Sequence, residues 1–221
     1  MIIVHHLENS RSQRVLWLLE ELGLDYEIRH YQRDPVTMLA PPELRAVHPL
    51  GKSPVITDDD VIVAESGAIL EYLVERHGAG RMIPAEGSPD RLRYRYWLHY
   101  AEGSLMPILL LKLVFRRVAS SPMPFIAKPF ARGIAAKVGE SYIDPQIELH
   151  LDYLEAELGK SEWFAGRALT ATDVQMSFPV EAALARAGGT RPRLARFVER
   201  VHARRAYKRA LERGGPFEII G

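Results

Sequence analysis

The sequence predicts an α/β domain followed by an all-helical one, and three observations carry that prediction. Strand-like and helix-like apolar patterns alternate through residues 1–78, a Gly- and Pro-bearing stretch at 79–90 reads as a linker, and in 91–221 the periodic segments are helical. The length of 221 residues suits one large domain or two smaller ones, and 47% hydrophobic with 26% charged residues is an ordinary globular composition. A net charge of +1 gives no global field for nucleic acid or anionic lipid. The chain has no cysteine, which removes disulfides, thiolate metal sites and any protein-thiol mechanism, and fits a reducing, cytoplasmic setting.

Taken in order, residues 2–7 are an apolar run suited to a buried strand, and Glu8-Asn9-Ser10-Arg11-Ser12 separates it from a helix. In that helix Val15, Leu18, Leu19 and Leu22 fall on one face and Gly23 provides the stop. Tyr26, Ile28 and His30 alternate with charged residues as a second strand. Pro41-Pro42 open a short helix that His48-Pro49 closes. Pro54–Ile56 and Val61–Val63 flank three Asp residues like the arms of a hairpin. A helix from Ser66 buries Ile69, Leu70, Leu73 and Val74 and ends near Gly78. Strand, helix, strand, short helix, hairpin and helix in this order fit a thioredoxin-like α/β domain, with a parallel pair from the strand-helix-strand unit.

Beyond the linker, residues 91–118, 133–158, 172–187 and 191–212 carry helical periodicity, predicting five or six helices. The apolar stretch Leu105–Phe115 is too short for a bilayer span of roughly 20 residues and reads as a buried helix. The start of the sequence lacks the basic region of a signal peptide. The mixed apolar and basic stretch 120–132 suits a loop and helix start packed on the domain, with peripheral membrane contact as the lesser reading. The basic run 200–213 reads as the solvated face of a helix. His5 and His6 lie on opposite faces of a strand and cannot share a metal there, so no metal site is expected.

The chemistry is expected at the N-terminus of the first helix, where unpaired N–H groups and the helix dipole favour an anion. That position holds Asn9-Ser10-Arg11-Ser12 and no thiol, so thiol chemistry here has to borrow sulfur from a ligand. Two later segments suit a short thiol peptide along the sheet edge. A cis Pro54 would turn the backbone of Ser53 outward to pair with a peptide, with Lys52 beside it for a carboxylate. Glu65-Ser66 open the helix after the hairpin, Ser66 as its cap and a partner for a carboxylate, Glu65 as the counter-charge to an α-amino group.

These segments, the linker, the helical second half and Thr170-Ala171-Thr172-Asp173 resemble the glutathione transferase family over the whole chain. The phrases Ser10-Arg11 with Arg14, Leu16-Trp17-Leu18-Leu19, Ala40-Pro41-Pro42-Glu43-Leu44 and His48-Pro49-Leu50-Gly51-Lys52-Ser53-Pro54 resemble a bacterial and fungal subgroup near the yeast microsome-associated transferases. The resemblance implies a homodimeric detoxification enzyme with glutathione as cosubstrate and no metal. Its thiolate would attack a small apolar electrophile held by the helical domain. It places the catalytic residue at Ser10 or Asn9, and glutathione-binding residues at Ser12, Lys52, Ser53, Pro54, Glu65 and Ser66. Lowering the thiol pKa by about 2 units is worth roughly 2.7 kcal/mol. Glutathione-dependent peroxide or disulfide reduction, and non-catalytic binding, are the alternatives.

Overall fold

The apolar run at 2–7 forms the strand β1 (Ile2–Leu7), at the centre of the chain's sheet. A computed structural model describes residues 1–186 and 190–217. β1 pairs in parallel with β2 (Tyr26–Tyr31), placing Val4 beside Ile28, and antiparallel with β3 (Val55–Asp58), placing Val4 beside Ile56. β3 turns back into β4 (Val61–Ala64), so the strand order is β2-β1-β3-β4. A parallel pair needs a crossover, which α1 (Ser12–Leu22) provides. Gly23 ends α1 in the left-handed region at φ 61, returning its N–H to the carbonyls of Leu19 and Glu20. The short α2 (Glu43–Val47) follows β2, and α3 (Ser66–Arg76) follows the hairpin.

The helical half comprises α4 (Pro89–Tyr100), α5 (Met106–Ser120), α6 (Ala127–Val138), α7 (Asp144–Glu157), α8 (Ala171–Arg186), α9 (Pro192–Ala203) and α10 (Arg205–Gly214). These are seven α-helices among the described residues, against five or six expected. The helix read at 91–118 is interrupted by a π-helical turn at Ala101–Leu105, and a second such turn at Gly139–Ile143 leads into α7. Each turn lies just before a proline, Pro107 or Pro145. A proline cannot donate to the carbonyl four residues back, and widening the preceding turn accommodates it.

The helix read at 191–212 is broken at Arg204, whose ψ of 134 is extended. The break folds α10 onto α1, where Tyr207 meets the buried Trp17 edge to face at 5.5 Å. The basic run is therefore more than a solvated face. Arg209 donates to Glu20 at 2.6 Å, Arg213 lies 3.7 Å from the ring centre of Tyr26, and Arg204 grips both oxygens of Glu21.

The stretch Leu105–Phe115 is buried on one face alone. Leu105, Met106, Ile108 and Leu109 enter the core, while Leu110 and Val114 are exposed. By length and composition the continuous helical stretch Pro89–Ser120 could cross a membrane, yet this inner face packs into the chain's own core. At the start of α8, Asp173 is fully buried and accepts from the Phe164 N–H at 2.8 Å, the Thr170 N–H at 2.9 Å and the Thr170 hydroxyl at 3.0 Å. This is one half of the capping box expected of Thr170 and Asp173: the carboxylate accepts the Thr170 N–H, while the Asp173 N–H bonds the Thr170 carbonyl instead of its hydroxyl. Burial still outweighs these bonds and raises the carboxyl to about 6.

Candidate functional site

The chain turns sharply between β1 and α1, with Asn9 in the left-handed region at φ 48. Asn tolerates that conformation better than most residues do. The turn lays Ser10 over the start of α1, where its hydroxyl accepts the Ser12 N–H at 3.2 Å. α1 has no acidic residue in its first turn and no side-chain hydrogen bond at its cap position, Arg11.

Behind Ser10 runs a chain of buried polar groups. Ser10 Oγ lies 2.7 Å from Ser12 Oγ, which lies 2.9 Å from His6 Nδ1. Burial lowers His6 to about 4, the nearby His30 adds to the effect, and a hydrogen bond to the Gly214 backbone opposes it. With its single proton on Nε2, the neutral imidazole presents Nδ1 as an acceptor. Ser12 therefore donates to His6, and Ser10 in turn donates to Ser12. His5 is also buried, with Nδ1 3.0 Å from the Tyr31 hydroxyl.

The second segment arrives from the start of β3. The Ser53–Pro54 peptide bond is cis. Ser53 Oγ donates to the His5 carbonyl at 3.0 Å and sits 3.3 Å from Ser10 Oγ, joining the two segments side chain to side chain. Gly51 precedes them at φ 56, and a Cβ there would meet Arg45 Cγ at 2.6 Å, so both conformation and space favour glycine. Asn9, Ser10, Lys52 and Ser53 border one cleft of about 370 Å³, whose opposite wall is built by Met106, Leu110 and Leu113 of α5 with Phe178 and Arg186 of α8.

The other sequence-derived residues stand differently. Ser12 is fully buried with its hydroxyl on His6, and Pro54 is buried behind the loop. Glu65 takes the cap position of α3 expected for Ser66, in the left-handed region at φ 72 and without a side-chain cap bond. Positive φ at a Glu is an unusual conformation that a fold keeps where it is over-determined. The Ser66 hydroxyl instead accepts from Arg14 at 3.0 Å and Gln175 at 3.4 Å, and neither Glu65 nor Ser66 lines the cleft. Of the apolar residues on α5, Met106 and Leu110 reach the cleft. Tyr94, Trp97 and Tyr100 are core, and Tyr96 and Val114 are exposed.

Sequence reasoning passed over the link beneath this site. Arg14 is almost fully buried and joins both halves of the chain, donating to Glu102 and to the Gln175 carbonyl, each at 2.6 Å, besides Ser66. The signal was available, because Arg14 stands on the apolar face of α1, four and eight residues before Leu18 and Leu22. The arginines on the cleft, Arg11, Arg33, Arg45 and Arg186, left no such trace, since surface arginines are ordinary.

A thioredoxin-like sheet whose first helix offers a hydroxyl in place of a thiol beside a cis-proline loop, with a helical half closing the cleft, defines a class of thiol-ligand enzymes. Residues 1–75 match the family model for the glutathione S-transferase N-terminal domain. Glutathione S-transferase 3 of Schizosaccharomyces pombe is 42% identical over 83% of this chain and 74% of its own length. Glutathione S-transferase 1 of Saccharomyces cerevisiae is 33% identical over 96% of this chain and 95% of its own. Among solved structures, a glutathione S-transferase of Actinobacillus pleuropneumoniae superposes with a TM-score of 0.81 at 34% identity, covering 97% of this chain and 93% of that one. The chain belongs to the glutathione S-transferase family, and it is a glutathione transferase.

Proposed function

We propose that this transferase activates the thiol of glutathione at the start of α1 and joins it to an electrophile in the cleft, with Ser10 as the residue that stabilises the thiolate. One observation carries this reading: the first turn of α1 holds no acidic residue and its cap residue Arg11 makes no side-chain cap bond, while the Ser10 hydroxyl stands at the cleft beside Ser53. The bound thiol releases its proton to solvent at the cleft, the Ser10 hydroxyl turns from Ser12 to donate to the sulfur, a rotation about one bond, and the helix N–H groups add to it. Asn9 offers an amide donor but cannot take the thiol's proton. The thiolate then forms a C–S bond with the electrophilic carbon, and the leaving group departs with its electron pair.

In this reading residues 1–78 bind glutathione and residues 91–221 supply the second-substrate wall. Lys52 meets a carboxylate, Ser53 pairs with the peptide backbone and Glu65-Ser66 take the amino-acid end, with Pro54 and Ser12 shaping the site from behind. Exposed Leu92, Tyr96 and Tyr153 on α4 and α7 support a homodimer, which sedimentation equilibrium tests. The absence of cysteine supports a cytoplasmic protein, and the apolar α5 wall supports a detoxification role.

The deciding experiment titrates the ultraviolet absorbance of the glutathione thiolate against pH with the protein present, alongside a calorimetric isotherm. A bound-thiol pKa well below that of the free peptide is expected, and Ser10→Ala should raise it while Asn9→Ala leaves it in place. Binding with an unshifted pKa would sink the activation mechanism. No binding would remove the roles given to Lys52, Ser53, Glu65 and Ser66.

A further inference from the structure

Between Glu102 and Glu140 the chain holds no acidic residue and six cations, Lys112, Arg116, Arg117, Lys128, Arg132 and Lys137, so the rest of a chain of net charge +1 is net negative. Lys112 is answered by Asp144 at 2.6 Å. The other five are exposed, and among the described residues they make no ion pair. A charge run on a helix surface is ordinarily balanced by acids three or four residues away, and here none is in reach.

The same segment carries its large apolar side chains on the side that folding does not use. α6 has no fully buried residue. It turns Ala127, Ala131, Ala135 and Val138, half-buried at helical spacing, toward the protein. Outward, four residues apart, stand Ile126 at 67% exposure, Phe130 at 72% and Ile134 at 60%, with Phe125 at 81% in the preceding loop. The packing on the domain expected of residues 120–132 thus holds for Ala127 and Ala131 and fails for Phe125, Ile126 and Phe130. On α5, which packs against α6, Leu110, Val114 and Val118 are exposed at the same spacing, and Leu110 also lines the cleft. Exposed apolar residues therefore run from the cleft wall to α6, which is more than the scattered single residues of an ordinary surface. The charge around them says what covers them. A second copy of the chain would bring five unpaired cations against five more, and a nucleic acid would take the cations and leave the hydrocarbon in water. A bilayer of anionic lipid takes both, apolar side chains at the boundary of headgroups and acyl chains and cations at the phosphates.

We propose that α5 and α6 form a docking surface for an anionic lipid bilayer beside the mouth of the cleft: Phe125, Ile126, Phe130 and Ile134 enter the boundary below the headgroups, and the five unpaired cations meet the lipid phosphates. The surface uses none of the residues given to glutathione, so it stands independently of the thiolate mechanism.

The test floats the full-length protein on density gradients with vesicles of phosphatidylcholine carrying about 30% phosphatidylglycerol, and with vesicles of phosphatidylcholine alone. Binding to the anionic vesicles is expected to be about tenfold or more the stronger, and to fall at least threefold when salt is raised from about 0.1 M to about 0.5 M. The double variants Phe130→Ser with Ile134→Ser, and Lys128→Gln with Arg132→Gln, should each weaken it about tenfold. All four side chains are exposed, and an unchanged thermal midpoint shows the variants intact; where a variant fails to fold, the lipid and salt comparisons on the unmodified protein decide. Absence of binding to the anionic vesicles overturns the proposal, and so does equal binding to both kinds, since the cations then contribute nothing. Binding that survives Phe130→Ser with Ile134→Ser overturns it in favour of a surface for polyanions such as nucleic acid, which the anisotropy of a labelled DNA duplex would register. Sedimentation equilibrium without lipid addresses the remaining occupant: a smaller assembly in that apolar variant than in the unmodified protein gives the face to a second copy and overturns the proposal as well.

Discussion

Helices α1 and α8 both begin among buried polar side chains, and they treat the positive end of the helix in opposite ways. α8 brings its own anion: Asp173 lies within the first turn, fully buried, and accepts three hydrogen bonds from Phe164 and Thr170. α1 brings none, and a chain of neutral groups, Ser10, Ser12 and His6, stands in that place. The α8 end is closed inside the helical half, whereas the α1 end borders the cleft. A helix terminus that a protein fills for itself serves folding, and one left without an anion of its own at a cleft is open to a ligand.

The largest effect expected from breaking this contrast is at α8. Asp173→Ala leaves the Phe164 and Thr170 N–H groups buried without an acceptor and should cost about 4 kcal/mol in chemical denaturation, while the folded fraction keeps its bound-thiol pKa. A normal midpoint would show that the box is dispensable.

The two clusters should also respond to pH with opposite sign. His6 is lowered from 6.5 to about 4, so its contribution is complete above about pH 6.5 and is lost as pH falls toward 4, a change of about 3 kcal/mol. Asp173 is raised from 3.8 to about 6, so ionising it costs stability as pH rises through that window and protonation returns it on the way down. Unfolding curves of His6→Asn between pH 4 and 7 should therefore be flatter than those of the unmodified chain, and those of Asp173→Asn steeper on the acid side. Parallel curves for all three would contradict both assignments.

At α1 the expected loss is catalytic. Ser10→Ala should lower kcat/KM about a hundredfold near neutral pH with little change in stability, the size seen for removal of one donor at a developing anion. Full activity would mean that the helix N–H groups suffice. The smallest effect is at the rim: Arg209→Ala removes an exposed cation from Glu20 and should leave the denaturation midpoint almost unchanged.

The order of strands and helices in the first half was legible because each apolar period is clean and each helix ends beside a Gly or Pro. The placement of Ser10, Lys52 and Ser53 followed from the same punctuation, since the turn before α1 and the loop before β3 flank one sheet edge. Less legible was anything set by distant partners. The break at Arg204 answers to the demands of α1, and the hydroxyl of Ser66 is taken up by Arg14 and Gln175, the latter 109 residues away. The depth of His6 was equally hidden, because an alternating strand gives no sign that α10 covers its second face. The charge of the cleft is assembled from four separate elements and loops, each with an unremarkable arginine.

The clasp of α10 on α1 bears on how the chain is made. Glu21 and Arg204 are 183 residues apart, and Trp17 is sealed by Tyr207. During synthesis the sheet and α1 emerge early, yet the outer face of α1 stays bare until almost all of the helical half has left the ribosome. His6, whose imidazole bonds to the backbone of Gly214, cannot take up its final hydrogen bonds before then. The cleft end of α1 is thus among the last parts of the protein to be completed, although its residues are among the first to be translated.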